Sequence, residues 1–332
     1  MAKLETKKIS KSVRLWGMKA IQLTEFTGPD GMEFVDVPDP EPGDGQVVVE
    51  VTRCGVNFAD THATRDDYLA KQELPLIPGG EVSGRTPDGR RVAAMLATGG
   101  YAQKVAVHEA MLVPVPDAVT DDQAAALLLQ GLTAHALIHR CARLEPGETV
   151  VVEAAAGGTG SLAVQLAKRH GARVIGLASS PEKRELVERL GADATVDSRS
   201  EDLKSAILDA NDGLKVDAVL EMAGGTMFES SLRTLAPFGR MVTFGIASGE
   251  QNEVATGSLM RSSRAVIGFW LVHLLTDPPA VAKAVEELFG AVVTGDLEIV
   301  IGEVRPLSEA KSVHEDLAAR RTQGKILLDP SA

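Results

Sequence analysis

The 332-residue chain holds only two cysteines, Cys54 and Cys141, far apart and in no CxxC pair. That excludes a disulfide framework and a zinc centre built from several thiolates, and it suits a reducing compartment, read here as cytoplasmic. Basic charge is also short. Against 46 Asp and Glu stand 34 Lys and Arg, a net charge of -12, so nothing at long range draws in phosphate backbones or anionic lipid. Neither nucleic acid nor a membrane surface is expected as a partner, which leaves small molecules. Long apolar runs are missing too. The richest, AAALLLQGLTAHALI from Ala124, is broken by Gln130 and His135 and falls short of the roughly 20 residues that a bilayer crossing needs. It reads as a buried helix. Aromatic residues make up 4% of the chain and include just two tyrosines, Tyr68 and Tyr101, which shortens any search for a phenolic proton donor.

What is present is enough for a core. Hydrophobic residues form 44% of the chain, and a length about twice that of an ordinary domain favours two domains. The first 17 residues, MAKLETKKISKSVRLWG, carry Lys3, Lys7, Lys8, Lys11 and Arg14 against Glu5 and lack the apolar centre of a secretory signal. They are expected to be a disordered leader, an upstream start ahead of Met18, or a targeting segment.

From Met18 to about Val115 the texture is short alternating strands with turn punctuation: QVVVEVTRCGV after GDG, RRVAAML after PDG, then YAQKVAV. This predicts a β-rich lobe. Beyond VPDAVTDDQAAALLLQG, strands alternate with amphipathic helices. The strands are TVVVEA, ARVIGLA, DATVD, VDAVLEM, RMVTFG and RAVIGFW; the helical patterns are SLAVQLAKRH, PEKRELVERLG, SEDLKSAILDAN and TMFESSLRTLAP. Such a run predicts a doubly wound parallel sheet of dinucleotide-binding type. After Asp277 the texture is mixed again and ends in the strand KILLD. The fold class is therefore α/β. Residues 18–131 and 266–332 form the β-rich domain, and residues 132–265 form a nucleotide-type domain inserted within it.

AAAGGTGSLA, residues 154–163, follows TVVVE directly and opens SLAVQLAKRH. Ala155, Gly157 and Gly160 take the three positions of a GxGxxG turn, with Ala156, Gly158 and Thr159 between them. Alanine is nearly small enough for the sharp bend; Gly157 lets backbone approach a pyrophosphate, and Gly160 lets helix and strand pack closely. The helix start then offers free N–H groups to phosphate. The alternative is a turn that only packs. After the next strand comes GLASSPEK, with no carboxylate before Glu182, whereas Ser179, Ser180, Lys183 and Arg184 supply hydroxyls and positive charge. That chemistry suits a 2'-phosphate, hence NADPH. Ser180 also fits a helix cap ahead of Pro181.

CGVNFAD, PGGEVSG, LLLQGLTA, AAAGGTGSLAVQLAK, GLASSPEK and TQGKILL, in that order between Met18 and Pro330, together resemble the medium-chain dehydrogenase/reductase superfamily. The resemblance is to its zinc-free quinone oxidoreductase branch, the relatives of zeta-crystallin. It implies a GroES-like catalytic domain with an inserted Rossmann domain, NADPH as cofactor, and hydride transfer to quinones or α,β-unsaturated carbonyl compounds. The superfamily's zinc enzymes carry a Cys and a His where this chain has Asn57 and Gly80, so no metal is expected. Glu81 then reads as a packing residue or one half of a buried ion pair. The resemblance sets Asn57 at the nicotinamide and the substrate carbonyl. Tyr68 is the expected proton donor or a cover over the cleft mouth, and Asp60 orients either of them or caps the next helix. His62, Phe269 and Trp270 are expected in the substrate pocket, and Tyr101 as structural. The segment from Arg264 implies an edge strand shared by two subunits of a homodimer. Thr133, Phe244 and Gly245 are implied cofactor contacts, and Arg321, Gln323 and Lys325 are expected to close over it from the other lobe. Ser198 and Arg199 stand where relatives place a tyrosine near the adenosine phosphate. Two other functions remain open: an enoyl-thioester reductase, and a nucleotide-sensing or RNA-associated binding protein with a vestigial site.

Overall fold

The computed structural model describes residues 17–67 and 69–332. Tyr68 and residues 1–16 of the expected leader lie outside the described residues, and Gly17, assigned to that leader, is the first residue of β1 (Gly17–Gln22). β1 pairs antiparallel with β2 (Glu33–Pro38), Met18 opposite Val37 and Ala20 opposite Val35. There follow β3 (Gln46–Gly55), α1 (Phe58–Ala63), β4 (Glu81–Arg85), β5 (Arg91–Met95), β6 (Lys104–His108) and β7 (Val113–Pro114). Val49, Val51, Val82, Val92 and Tyr101 turn inward to one core, the face-by-face alternation that a period of two imposes. α2 (Asp121–Ala136) starts at Thr120, whose hydroxyl accepts from Gln123 N while Gln123 caps the N–H of Thr120 in return. It is buried on nearly every side because β3, β4 and β5 pack along one side of it and later helices of the chain along the other.

The next segment holds β8 (Thr149–Val152), α3 (Gly158–Arg169), β9 (Arg173–Ala178), α4 (Pro181–Arg189), β10 (Ala194–Asp197) and α5 (Leu203–Asp209). It continues with β11 (Val216–Glu221), α6 (Gly225–Thr234), β12 (Leu235–Thr243), α7 (Thr256–Ser262) and β13 (Ala265–Gly268). All six strands are parallel in the order β10-β9-β8-β11-β12-β13. The first strand is thus central and the winding reverses between β8 and β11, the switch point at which such sheets bind ligands. Every residue of β8 is buried. Val150 and Val152 enter the core shared with α2 and α3, while Val151 enters the opposite one with Ile175, Leu177 and Val219. A sheet covered on both faces needs such an unbroken apolar run.

After α8 (Leu271–Leu274) and α9 (Pro278–Val293), the chain returns with β14 (Ile301–Pro306), α10 (Ala310–Ala318) and β15 (Lys325–Asp329). β15 joins β3 antiparallel, Leu328 opposite Cys54, and closes a sheet of order β14-β15-β3-β4-β5-β7 with β6 also on β3. One sheet therefore draws on both ends of the chain and brackets the other. The domain limits expected at 131/132 and 265/266 fall inside α2 and β13. Among the described residues no helix is long and apolar enough to cross a membrane.

Candidate active site

A cleft of about 1190 Å³ separates the two sheets, lined from one side by Asn57, Asp60 and Gly80 and from the other by the ends of β8, β9, β11 and β12. The glycine turn forms its floor. After β8 the chain bends at Ala154, whose φ of 47° is left-handed, and α3 begins at Gly158. A side chain at Gly160 would run into the carbonyl oxygen of Ala154, and one at Gly158 into the amide of Gln130. Gly160 is therefore required by its close approach to backbone, whereas the obstacle at Gly158 is the end of a side chain that can swing aside. Ala155 is accommodated because β9 offers Gly176 opposite it: a Cβ there would lie 3.1 Å from the Ala155 methyl. The loop is stitched to the returning lobe by Gly324 N–H donating to Ala156 O at 2.8 Å.

At one end of the cleft Ser179, Lys183, Ser198 and Arg199 line the wall together. The Lys183 ammonium donates to the carbonyl of Arg320 at 2.9 Å, and burial together with the Arg199 charge holds its pKa below the ordinary lysine value. Two cations crowded this way favour an anion between them. Ser180 stays off the wall and caps α4, accepting from Lys183 N at 3.3 Å.

At the other end, buried polar groups converge on Asn57. Its Oδ1 accepts from the Lys325 ammonium at 2.7 Å and from Gln130 Nε2 at 3.2 Å. Because an ammonium only donates, the amide orientation follows, and Nδ2 is left to Gly55 O and Glu81 Oε2, each at 3.3 Å. Lys325 also pairs with Glu81 Oε2 at 2.6 Å, and both side chains are about 1% exposed or less. The second Glu81 oxygen accepts from Leu129 N at 2.7 Å. Glu81 is the buried ion pair that its sequence context allowed. Asp60 Oδ2 accepts from Asn57 N at 2.8 Å and from the Tyr101 hydroxyl at 2.9 Å; burial pushes the Asp60 carboxyl up to about 6.

Of the other expected residues, Thr133, Ala156, Gly157, Gly158, Thr159, Gly160, Phe244, Gly245, His62, Phe269 and Trp270 all line the cleft. The Thr133 hydroxyl donates to Leu129 O at 2.8 Å, and His62 Nδ1 pairs with Asp67 at 2.7 Å. Arg321 and Lys325 do not line it. Arg321 is exposed and ion-paired with Asp316, and Lys325 lies beneath Asn57 rather than over the cleft. Arg320 and Thr322 face the cleft instead. Tyr68 lies outside the described residues.

Glu153 and Gln130 on the wall also escaped the sequence reading. Glu153, at the end of β8, is buried beside Glu221, and burial plus that neighbour pushes its carboxyl up to about 8. Gln130 faces the glycine turn with an Oε1 that is buried and without a partner among the described residues. A lone glutamine in the apolar run AAALLLQGLTA was the available signal.

The family model described as alcohol dehydrogenase GroES-like domain matches residues 43–117, and the one described as zinc-binding dehydrogenase matches residues 158–289. A quinone oxidoreductase of Pseudomonas aeruginosa is 37% identical over 94% of this chain and 99% of its own. A 2-haloacrylate reductase of Burkholderia is 32% identical over 92% of this chain and 97% of its own. The solved structure of Escherichia coli quinone oxidoreductase complexed with NADPH is similar with a TM-score of 0.89 at 30% identity, covering 94% of this chain and 100% of that one. With its GroES-like and Rossmann parts and these relatives, the chain belongs to the medium-chain dehydrogenase/reductase superfamily, among the zeta-crystallin-like quinone oxidoreductases.

Proposed function

We propose that this protein is a zinc-independent, NADPH-dependent reductase of quinones or α,β-unsaturated carbonyl compounds. The observation that carries the reading is the pairing of Lys183 with Arg199 at the adenosine end of a cleft floored by a glycine turn at the switch point. The residues present fit the dinucleotide. The N–H groups at the start of α3 suit a pyrophosphate; Ser179, Lys183 and Arg199 suit a 2'-phosphate; Thr133, Phe244 and Gly245 flank the nicotinamide end, where the orphaned Gln130 Oε1 offers an acceptor. When bound, that cofactor supplies a hydride.

Everything else falls to the protein. Lys325 and Glu81 fix the amide of Asn57, which positions substrate and cofactor; Phe269 and Trp270 exclude water from the acceptor's side. Hydride addition to a conjugated acceptor leaves charge on oxygen, to be met by a proton from Tyr68 or solvent. Metal independence is supported by the donor set. Asn57 and Gly80 are not thiolate and imidazole, both Glu81 oxygens are engaged, and the cation already beside them is the Lys325 ammonium. The names of the relatives, a quinone oxidoreductase and a 2-haloacrylate reductase, describe acceptors of this conjugated kind. A homodimer across the edge strand β13 and a cytoplasmic setting for the two free thiols complete the reading. A stopped-flow panel of quinone, enone and enoyl-CoA acceptors with NADPH and NADH tests it. Rapid NADPH oxidation by quinone or enone is expected; no turnover with either, or a strong preference for NADH, overturns it.

A further inference from the structure

Behind the cleft wall lies a file of three buried side chains that the function above does not use. Asp60 Oδ2 is committed to Asn57 N and to the Tyr101 hydroxyl. Its Oδ1 takes no hydrogen bond from any described residue and lies next to Gly80 on the cleft wall, 3.7 Å from where a Cβ of that glycine would sit. Tyr101, fully buried, places its hydroxyl 3.0 Å from His314 Nε2 on α10. The proton inventory gives this file a direction. The hydroxyl proton of Tyr101 points to Asp60, so the hydrogen bond from His314 must be donated by Nε2–H to the phenol oxygen. His314 Nδ1 is then a bare acceptor, which matches its lack of any partner among the described residues. With two donors on Oδ2, a proton held by Asp60 belongs on Oδ1, facing the cleft.

We propose that Asp60 is the general acid of the reaction, with Tyr101 and His314 as positioning residues behind it. The inference rests on the reductase reading and replaces Tyr68 or solvent as the proton source. Two electrons arrive with the hydride and form a C–H bond at the electrophilic carbon, and the conjugated pair moves onto the acceptor oxygen. The O–H bond at Asp60 Oδ1 breaks and its proton passes to that oxygen. The carboxylate that remains takes back one proton from water in the cleft, so each turnover consumes one solvent proton. The surroundings suit a carboxyl that changes charge near neutrality. Burial and Glu81 favour its neutral form, while Lys325, Tyr101 and Asn57 N favour the carboxylate. The Cys54 thiol on β3 is held protonated by burial. His314 is kept neutral by burial and by Arg65, at about 4.

The test combines kcat–pH profiles, with NADPH and an enone, and an infrared titration of the Asp60 carboxyl in cofactor-free protein. In the wild type kcat is expected to fall as pH rises through the value at which Asp60 titrates. Asp60→Asn is expected to lose that limb and about 100-fold in kcat while NADPH binding by fluorescence stays unchanged, which also reports an intact fold. Tyr101→Phe removes a hydrogen bond that favours the carboxylate, so both the infrared titration and the kinetic limb move to higher pH. An Asp60→Asn enzyme with wild-type kcat and pH profile, or an Asp60 that titrates as an ordinary surface carboxylate, overturns the inference alone. A wild-type protein that oxidises NADPH with no quinone or enone overturns the reductase reading beneath it.

Discussion

At the scale of single residues, charge burial decides most outcomes. Lys325 and Glu81 are almost wholly removed from water, and removing one partner leaves the other charged with no compensation. Lys325→Met is therefore expected to destabilise the fold by about 3–5 kcal/mol, read as a lowered midpoint in denaturant; adding Glu81→Gln recovers part of it. Glu153 sets a pH dependence of the opposite kind. Its folded-state value of about 8 lies above its ordinary value of 4.5, so the native state holds a proton that the unfolded chain gives up. The associated stability is complete below pH 4.5 and declines as pH rises through about 8. The Ser231 hydroxyl donates to Glu153 Oε1 at 2.7 Å; Glu153→Gln keeps the shape and that acceptor, and is expected to flatten the fall of the melting temperature across that window. At the adenosine end, Lys183→Ala is expected to weaken NADPH binding about 10- to 100-fold and NADH binding little, since a charge-assisted contact is worth about 1.5–3 kcal/mol.

At the scale of elements, the glycine turn is the least tolerant. Gly160→Ala sets a methyl against the Ala154 carbonyl oxygen, part of the backbone that cannot rotate away. NADPH affinity by fluorescence titration is expected to fall at least about tenfold as the helix start moves off the strand end. This turn was legible in the sequence because strand, small residues and helix follow one another within about 20 positions, and each leaves a periodic or compositional trace. The parallel strands were legible for the same reason. The groups beneath the cleft were not. Asn57, Glu81, Gln130 and Lys325 come from four separate elements, and only the closing of β15 on β3 brings Lys325 under Asn57. Expecting Lys325 to close over the cofactor followed from the family resemblance of its segment, which does not contain the register that buries it. Likewise, the tolerance of Ala155 depends on Gly176 in a neighbouring strand, which no local reading of the turn contains.

At the scale of the whole molecule, one edge of the parallel sheet is open. Among the described residues β13 pairs with β12 alone, and beside it Phe238 and Met260 are 84% and 79% exposed. Unpaired strand edges with apolar neighbours favour pairing with a second copy. Sedimentation velocity is expected to give a dimer for the wild type and a monomer for a Phe238→Asp, Met260→Asp double variant. A monomeric wild type would remove the dimer from the proposed function without touching the cleft.

The loop joining β8 to α3 has a further consequence. Three of its carbonyls already accept a hydrogen bond: Ala154 O from Gly157 N, Gly157 O from Ser161 N, and Ala156 O from Gly324 N near the far end of the chain, each at 2.8 Å. Those three oxygens are the less available to a sodium or calcium ion, while the first amides of α3 have no partner within their own helix and point toward the cleft floor. The floor of the cleft discriminates by sign before it discriminates by shape, and the last strand's tether helps keep it that way.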